Sequence, residues 1–215
     1  PLTSIKGFVE TLQAGAIENP EMAKRFLDII SMETDRLSRL INDVLSLSSM
    51  ENGRVRVPTE RLSLGQRAED VCLMLENSAK QKNIELTVDA GDDTFIQAND
   101  DHVKQLLINL IDNAIKYTLD GGKVRVRVER RGRDVLLHVK DTGIGIAQEH
   151  IPRLFERFYR VDKGRSRNMG GTGLGLAIVK HIVMDMNGEI TMQSELNVGT
   201  EFTVTLPYAR EDASS

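Results

Sequence analysis

The sequence predicts an α+β protein. An N-terminal antiparallel helical hairpin, half of a dimeric four-helix bundle, is followed by a two-layer α/β sandwich. Three observations carry this. Apolar residues recur at helical spacing as far as Met50, with a single Gly/Pro break. Beyond residue 60 the apolar pattern alternates between the helical period and the period of two that marks half-exposed strands. Between the two regions lies ENGRVRVPTE, a stretch of mixed charge with Gly53 and Pro58.

Residues 1–14 read as the end of a helix, because Ile5, Phe8, Val9 and Leu12 fall three or four apart. AGAIENPE breaks the pattern. Pro20 suits the first turn of a second helix, with Asn19 as its N-cap. From Met22 to about Met50, Phe26, Ile29, Ile30, Leu37, Leu40, Ile41, Val44, Leu45 and Leu47 form one long stripe. Two helices alone bury little, so this broad stripe predicts either a homodimeric bundle or packing on the domain that follows. Residues 65–82 read as a helix, 84–89 as a strand and 100–118 as a strong helix. VRVRVE (124–129) and VLLHVK (135–140) are strands joined by RRGRD. Residues 174–187 form a helix closed by Gly188. EITMQS and GTEFTVTLP make a final hairpin, and REDASS reads as a disordered tail. The divisions are 1–52 (hairpin), 53–60 (linker), 61–209 (sandwich) and 210–215 (tail).

Of the 215 residues, 40% are apolar and 28% charged, the balance of a globular protein with a sizeable core. The net charge of -4 argues against a general nucleic-acid binder. With one cysteine, Cys72, no intramolecular disulfide is possible, and its apolar context VCLML points to a packed side chain. No run approaches the roughly 20 apolar residues of a membrane span. A start at Pro1 without an initiator Met reads as a piece of something longer.

Three segments carry chemistry. In NLIDNAIKYT (109–118), at about 100° per residue, Asn109, Asn113, Lys116 and Tyr117 share one helix face. Val103, Leu107, Leu110, Ile111 and Ala114 share another, an ordinary core stripe. A carboxamide oxygen is a hard ligand for Mg²⁺, and Mg²⁺ binds through few protein groups plus nucleotide phosphates. A lysine can meet phosphate, and a tyrosine ring can cover a base. In DTGIGI (141–146), alternate glycines permit a tight turn, and an aspartate at a strand end can accept a hydrogen bond from adenine. In GGTGLGLAIVKHIV (170–183), a glycine-rich loop runs into a helix whose first N–H groups and dipole favour an anion. It is not a Walker A loop, for it lacks Gly-Lys-Ser/Thr, nor does it sit where a Rossmann fingerprint should.

Each segment alone also fits a solvated helix face or a turn. Their order is more specific. N-x-x-x-N, then D-x-G-x-G, then F-x-x-F within FERFYRVD, then G-x-G-x-G resembles the catalytic domain of sensor histidine kinases of two-component systems. PLTSIKGFVETL resembles the stretch just after that family's phosphoacceptor histidine. The resemblance covers nearly the whole chain, and the fold it implies is the Bergerat ATP-binding sandwich shared with heat-shock protein 90, DNA gyrase and mismatch-repair ATPases.

The resemblance implies ATP and Mg²⁺ as ligands. Asn113 would ligate Mg²⁺, with Asn109 supporting it directly or through water. Lys116 would contact phosphate, Tyr117 would lie against adenine, and Asp141 would read its amino group in a pocket shaped by Gly143, Gly145 and Ile146. Phe155 and Phe158 would anchor the ATP lid. Arg160 would stabilise charge on the γ-phosphate during transfer, while Lys163, Arg165 and Arg167 lie in the lid. Gly171, Thr172, Gly173, Leu174, Gly175 and Leu176 would wrap the triphosphate. ATP-hydrolysing relatives carry a water-activating glutamate where this chain has Asn109, and a carboxamide takes no proton at neutral pH. That favours phosphotransfer over hydrolysis.

In the family the acceptor histidine sits in a run like H-E-x-x-[TN]-P-L-T, of which this chain begins at the Pro. Of the four histidines present, none suits the role: His102 starts a helix, His138 lies in a strand, His150 in a loop or short helix, and His181 on an apolar helix side. The expectation is an ATP-binding core that does not phosphorylate itself. The implied partners are a second copy through the hairpin and the receiver domain of a response regulator. Membrane attachment would come only from upstream segments, making this the cytoplasmic region of a membrane-anchored bacterial sensor.

Overall fold

The computed structural model describes residues 1–51, 58–161 and 171–210. Helix α1 (Leu2–Gln13) and the long α2 (Pro20–Glu51) form the expected antiparallel hairpin. The break between them is a short 3₁₀ turn, Ala16–Glu18, entered through Gly15 at φ 114°. The Asn19 carboxamide accepts the Met22 N–H at 3.2 Å, as an N-cap does. Leu12 is buried and Phe8 packs on Phe26 at 5.2 Å between ring centroids. Much of the stripe stays uncovered: Ile41 is 49% exposed, Val44 43% and Leu45 61%, with Leu27 beside it at 57%.

Strand β1 (Glu60–Ser63) precedes α3 (Leu64–Lys80), β2 (Glu85–Ala90), β3 (Phe95–Ala98) and α4 (Asp100–Tyr117). Strands β4 (Lys123–Arg131) and β5 (Asp134–Asp141) form a hairpin around Gly132. After these come α5 (Gly175–Asp185), β6 (Glu189–Glu195) and β7 (Gly199–Pro207). The main sheet has the order β2-β4-β5-β7-β6, with β2 parallel to β4 and every other pair antiparallel. A separate ribbon pairs β1 with β3. Helices α3, α4 and α5 cover one face of the main sheet, and charged residues of β4 leave the other open to solvent. The core between the layers includes Leu107, Ile111, Val126, Leu137, Ile178 and Val204. Cys72 is buried among them, and burial pushes its thiol up to about 11.

The α+β architecture is the one the sequence predicts. Strands β1 and β3, each four residues long, were not foreseen, and the linker expected over 53–60 already enters β1 at Glu60. The end of α5 also differs. Asn187, at φ 55°, takes the left-handed position, and the Gly188 and Asn187 amides return to the Val183 and Met184 carbonyls at 2.9 and 3.0 Å. Gly188 is there for a different reason: a Cβ would lie 2.6 Å from the Thr205 carbonyl oxygen. No helix among the described residues is long and apolar enough to cross a membrane.

Candidate nucleotide site

The Asn-bearing helix, the DTGIGI loop and the glycine loop converge at one end of the sandwich. Helix α4 starts under the Asn99 cap, whose side chain accepts the His102 N–H at 3.1 Å. Its core stripe is buried, with Val103, Leu107, Leu110 and Ile111 each at most 1% exposed. That fixes the helix rotation and turns Asn109, Asn113, Lys116 and Tyr117 the other way. The Asn109 Oδ1 would lie 3.0 Å from a Cβ at Gly175, so this carboxamide faces the first residue of α5. Its Nδ2 is buried with no hydrogen-bond partner among the described residues. Such an atom is costly unless something fills the site. Lys116 is paired with Asp112 one turn earlier.

Strand β5 delivers Asp141 to the mouth of this end, 7% exposed. Its Oδ1 accepts the Gly143 N–H at 2.8 Å and the Thr200 N–H at 3.3 Å. Burial pushes the carboxyl above its ordinary 3.8, against the pull of those two amides. The loop after it is clamped on both sides. The Ile144 N–H donates to the Tyr117 carbonyl at 3.1 Å, and the Asn197 N–H to the Ile144 carbonyl at 2.8 Å. Ser194 Oγ accepts the Ile146 N–H at 2.9 Å. Gly143 admits the close approach of α4, since a Cβ would lie 2.3 Å from the Tyr117 oxygen. Gly145, at φ 62°, needs the left-handed region, and a Cβ there would lie 1.9 Å from the Glu195 oxygen. Burial pushes the Tyr117 phenol above its ordinary 10.0, while the nearby Arg160 charge pulls it down.

At the glycine loop, Thr172 Oγ1 accepts the Leu174 N–H at 3.2 Å, and α5 begins at Gly175 without a side-chain cap. Its first amides are therefore available to an anion. Leu174 is 1% exposed and Leu176 packs against the core, so at both positions only the main chain can face a phosphate. Gly171 and Gly173 lie half-buried in the same loop. Phe155 packs against the core as an anchor would, but Phe158 is 60% exposed at φ 61°. The expected pair of anchors is thus a single one. The Phe158 N–H is bound to the Gly173 carbonyl at 2.9 Å, which fixes that backbone turn and leaves the ring in solvent. Lys163, Arg165 and Arg167 lie outside the described residues.

Two contributors lie outside the motifs. The Thr172 hydroxyl donates to Asp43 Oδ2 of α2 at 2.7 Å, and Lys82, after α3, reaches the end of α4. Both contacts span large sequence separations, so no local pattern announces them. The donor set suits magnesium carried by phosphates. Asn109 and Asn113 offer neutral oxygens, and the described residues contain no group of three or more His, Cys, Asp or Glu able to hold a metal alone. A cleft of about 540 Å³ near Arg130, Arg133 and Tyr208 sits at the opposite end of β5 and includes none of the motif residues.

Residues 98–210 match the family described as "Histidine kinase-, DNA gyrase B-, and HSP90-like ATPase", and residues 1–53 match the "His Kinase A (phospho-acceptor) domain". The sensor histidine kinase WalK of Bacillus subtilis is 38% identical over 98% of the chain, and the sensor protein kinase WalK of Staphylococcus saprophyticus is 38% identical over 96%. The chain spans about a third of these relatives, 35% and 34% of their lengths. Among solved structures, the Acinetobacter baumannii histidine kinase AdeS superposes with a TM-score of 0.77 at 27% identity, covering 98% of this chain and 96% of that one. Full-length ShkA in complex with AMPPNP gives 0.74 at 28% identity, covering 90% of this chain and 40% of that one. Histidine kinase ThkA in complex with response regulator protein TrrA gives 0.76 at 26% identity, covering 97% of this chain and 58% of that one.

Proposed function

Because the chain belongs to the sensor histidine kinase family, with a phospho-acceptor-type hairpin joined to an ATPase-type sandwich, we propose that it binds ATP with Mg²⁺ as that enzyme's catalytic core. The observation that carries this is the convergence of the Asn109 carboxamide, the Asp141 loop and the start of α5. Asp141 Oδ1 is occupied by backbone amides, which leaves Oδ2 to accept from the adenine amino group. Tyr117 covers the base, with Gly143, Gly145 and Ile146 shaping its pocket. The amides of Gly171–Leu176 and the Thr172 hydroxyl take the phosphates. Asn113, supported by Asn109, holds Mg²⁺, which neutralises phosphate charge when bound. Lys116 swings from Asp112 to a phosphate, and Arg160 stabilises charge developing on the γ-phosphate.

In the whole enzyme this reading makes the γ-phosphate pass to a histidine and then to an aspartate of a response regulator. Residues 61–209 are the catalytic part and 1–52 the dimerisation and phosphotransfer part. The four histidines of residues 1–215 all lie beyond the hairpin, so this chain binds ATP without labelling itself. Asn109, in place of a base, supports transfer over hydrolysis. The uncovered Leu27, Ile41 and Leu45 support a homodimer through the hairpin. The response regulator named with ThkA supports a receiver domain as partner. The location that goes with this reading is the cytoplasmic side of a membrane anchored from elsewhere in the protein.

Calorimetric titration with ATP and Mg²⁺ tests the first claim. A measurable heat whose affinity falls sharply with the Asp141→Asn variant supports it, and an absence of heat with the parent chain leaves only a dimerising scaffold. Incubation with γ-labelled ATP tests the second, since label on any of the four histidines overturns it.

A further inference from the structure

An α-helix leaves its last four carbonyl groups without intrahelical donors. At the end of α4 these belong to Ile115, Lys116, Tyr117 and Thr118, because the Thr118 N–H already returns to Ala114 at 3.1 Å. Three of the four are taken by a single ammonium. Lys82 Nζ donates to the Ile115 carbonyl at 2.8 Å, to Lys116 at 3.0 Å and to Thr118 at 2.5 Å. The fourth, Tyr117, accepts the Ile144 N–H of the DTGIGI loop at 3.1 Å. A cation here also meets the negative end of the helix dipole. The main chain adds to the grip, for the Gly121 N–H donates to the Lys82 carbonyl at 3.1 Å.

We propose that Lys82 is a positioning residue of the nucleotide site: by closing the end of α4 it sets the helix against the loop that follows Asp141. The last turn of α4 carries Lys116 and Tyr117, and its only remaining carbonyl points at that loop. Without the ammonium, three carbonyls must find water or rearrange, and the Tyr117–Ile144 bond is the link free to shift. Lys82 lies at the turn after α3, outside every nucleotide motif, and its ammonium is turned to the main chain of α4. Burial, partly opposed by Asp120, draws its ammonium below the ordinary 10.5. It sits half-buried at this junction.

The inference rests on the nucleotide reading above, and the test separates the two. Dissociation constants of ATP and ADP, each with Mg²⁺, are measured by calorimetry for the parent, Lys82→Met and Lys82→Arg, alongside their melting temperatures. Lys82→Met is expected to weaken ATP and ADP by the same factor of about ten, as loss of a charged hydrogen-bond donor predicts. Equal factors locate the effect at the base end, which both ligands share. Lys82→Arg keeps the charge, but its planar fork cannot converge on three carbonyls around one point. It is expected to melt with the parent yet bind about threefold more weakly, and it stands alone if Lys82→Met does not fold. Unchanged dissociation constants with a lowered melting temperature make Lys82 a helix cap and overturn the inference. A loss confined to ATP overturns it too, since that places the effect at the γ-phosphate. A parent chain that binds neither nucleotide sinks the nucleotide reading and this inference with it.

Discussion

Asp141 is buried, yet one of its oxygens is unclaimed among the described residues. A carboxylate in that position costs stability unless a donor arrives. Asp141→Asn is therefore expected to weaken ATP binding about tenfold or more, because a neutral amide replaces a charged acceptor. The same substitution is expected to leave folding intact or improve it at neutral pH. The sign follows from the raised carboxyl. Its contribution to stability is fully present below the ordinary 3.8 and is lost as pH rises through the folded-state value. Melting curves of parent and variant should thus diverge most above that range. Gly145→Ala is a harsher change, for it meets both a left-handed backbone and the Glu195 carbonyl, 1.9 Å away. A loss of more than about 2 kcal/mol is expected, read as a fall in urea midpoint. The residue types and spacing of Asn109, Asn113, Asp141, Gly143, Gly145 and the glycine loop were legible because each is a local motif. Lys82 was not, because its partners lie 33 to 36 residues away.

Helix α4 is the element on which the site depends, and both its ends are fixed by other elements. At its start Asp100 is bound by Lys104 one turn on and by Arg67 of α3, at 2.7 and 2.5 Å. The Lys104 and Arg67 bonds hold its carboxyl below the ordinary 3.8. Here the sign is opposite to that of Asp141: stability is present above the ordinary value and lost as pH falls through the lowered one. Asp100→Asn is expected to lower the melting temperature by about 2–4 °C at pH 7, the effect of ~1 kcal/mol at a partly exposed helix start. Parent and variant should converge in acid, and a gap that persists there removes the electrostatic explanation. The pattern of α4 was clear from its core stripe, while its Asn99 cap emerges only in the structure. Strands β1 and β3 escaped notice for a physical reason. ERLS and FIQA are four residues each and pair with one another across α3, so neither is long enough to show a period of two.

Across the whole molecule, the hairpin and the sandwich meet at the nucleotide site itself. Leu47 of α2 is buried in the core cluster, and the Gln105 amide lies 3.5 Å from Ser46. Asp43, one turn before Leu47, accepts the hydroxyl of Thr172 in the glycine loop. Of the two fates the sequence allowed for the apolar stripe, the lower end of α2 thus takes packing on the following domain, and the exposed remainder is the face proposed for a second copy. In the proposed reading the Asp43 carboxylate stands where a triphosphate needs positive potential, and it occupies the Thr172 hydroxyl proposed for phosphate. Burial pushes it above its ordinary 3.8, opposed by the Thr172 bond and by the charges of Arg39 and Lys116. Docking is therefore weakest when Asp43 is ionised and tightens as pH falls toward the ordinary value. Asp43→Ala removes a negative charge and frees Thr172, so ATP should bind the variant about fivefold more tightly, the effect of ~1 kcal/mol of relieved repulsion. Adding Thr172→Val to Asp43→Ala should return part of that gain, because the freed hydroxyl is then absent. Equal ATP affinity in parent and Asp43→Ala would mean that the hairpin rests against the glycine loop without competing for it.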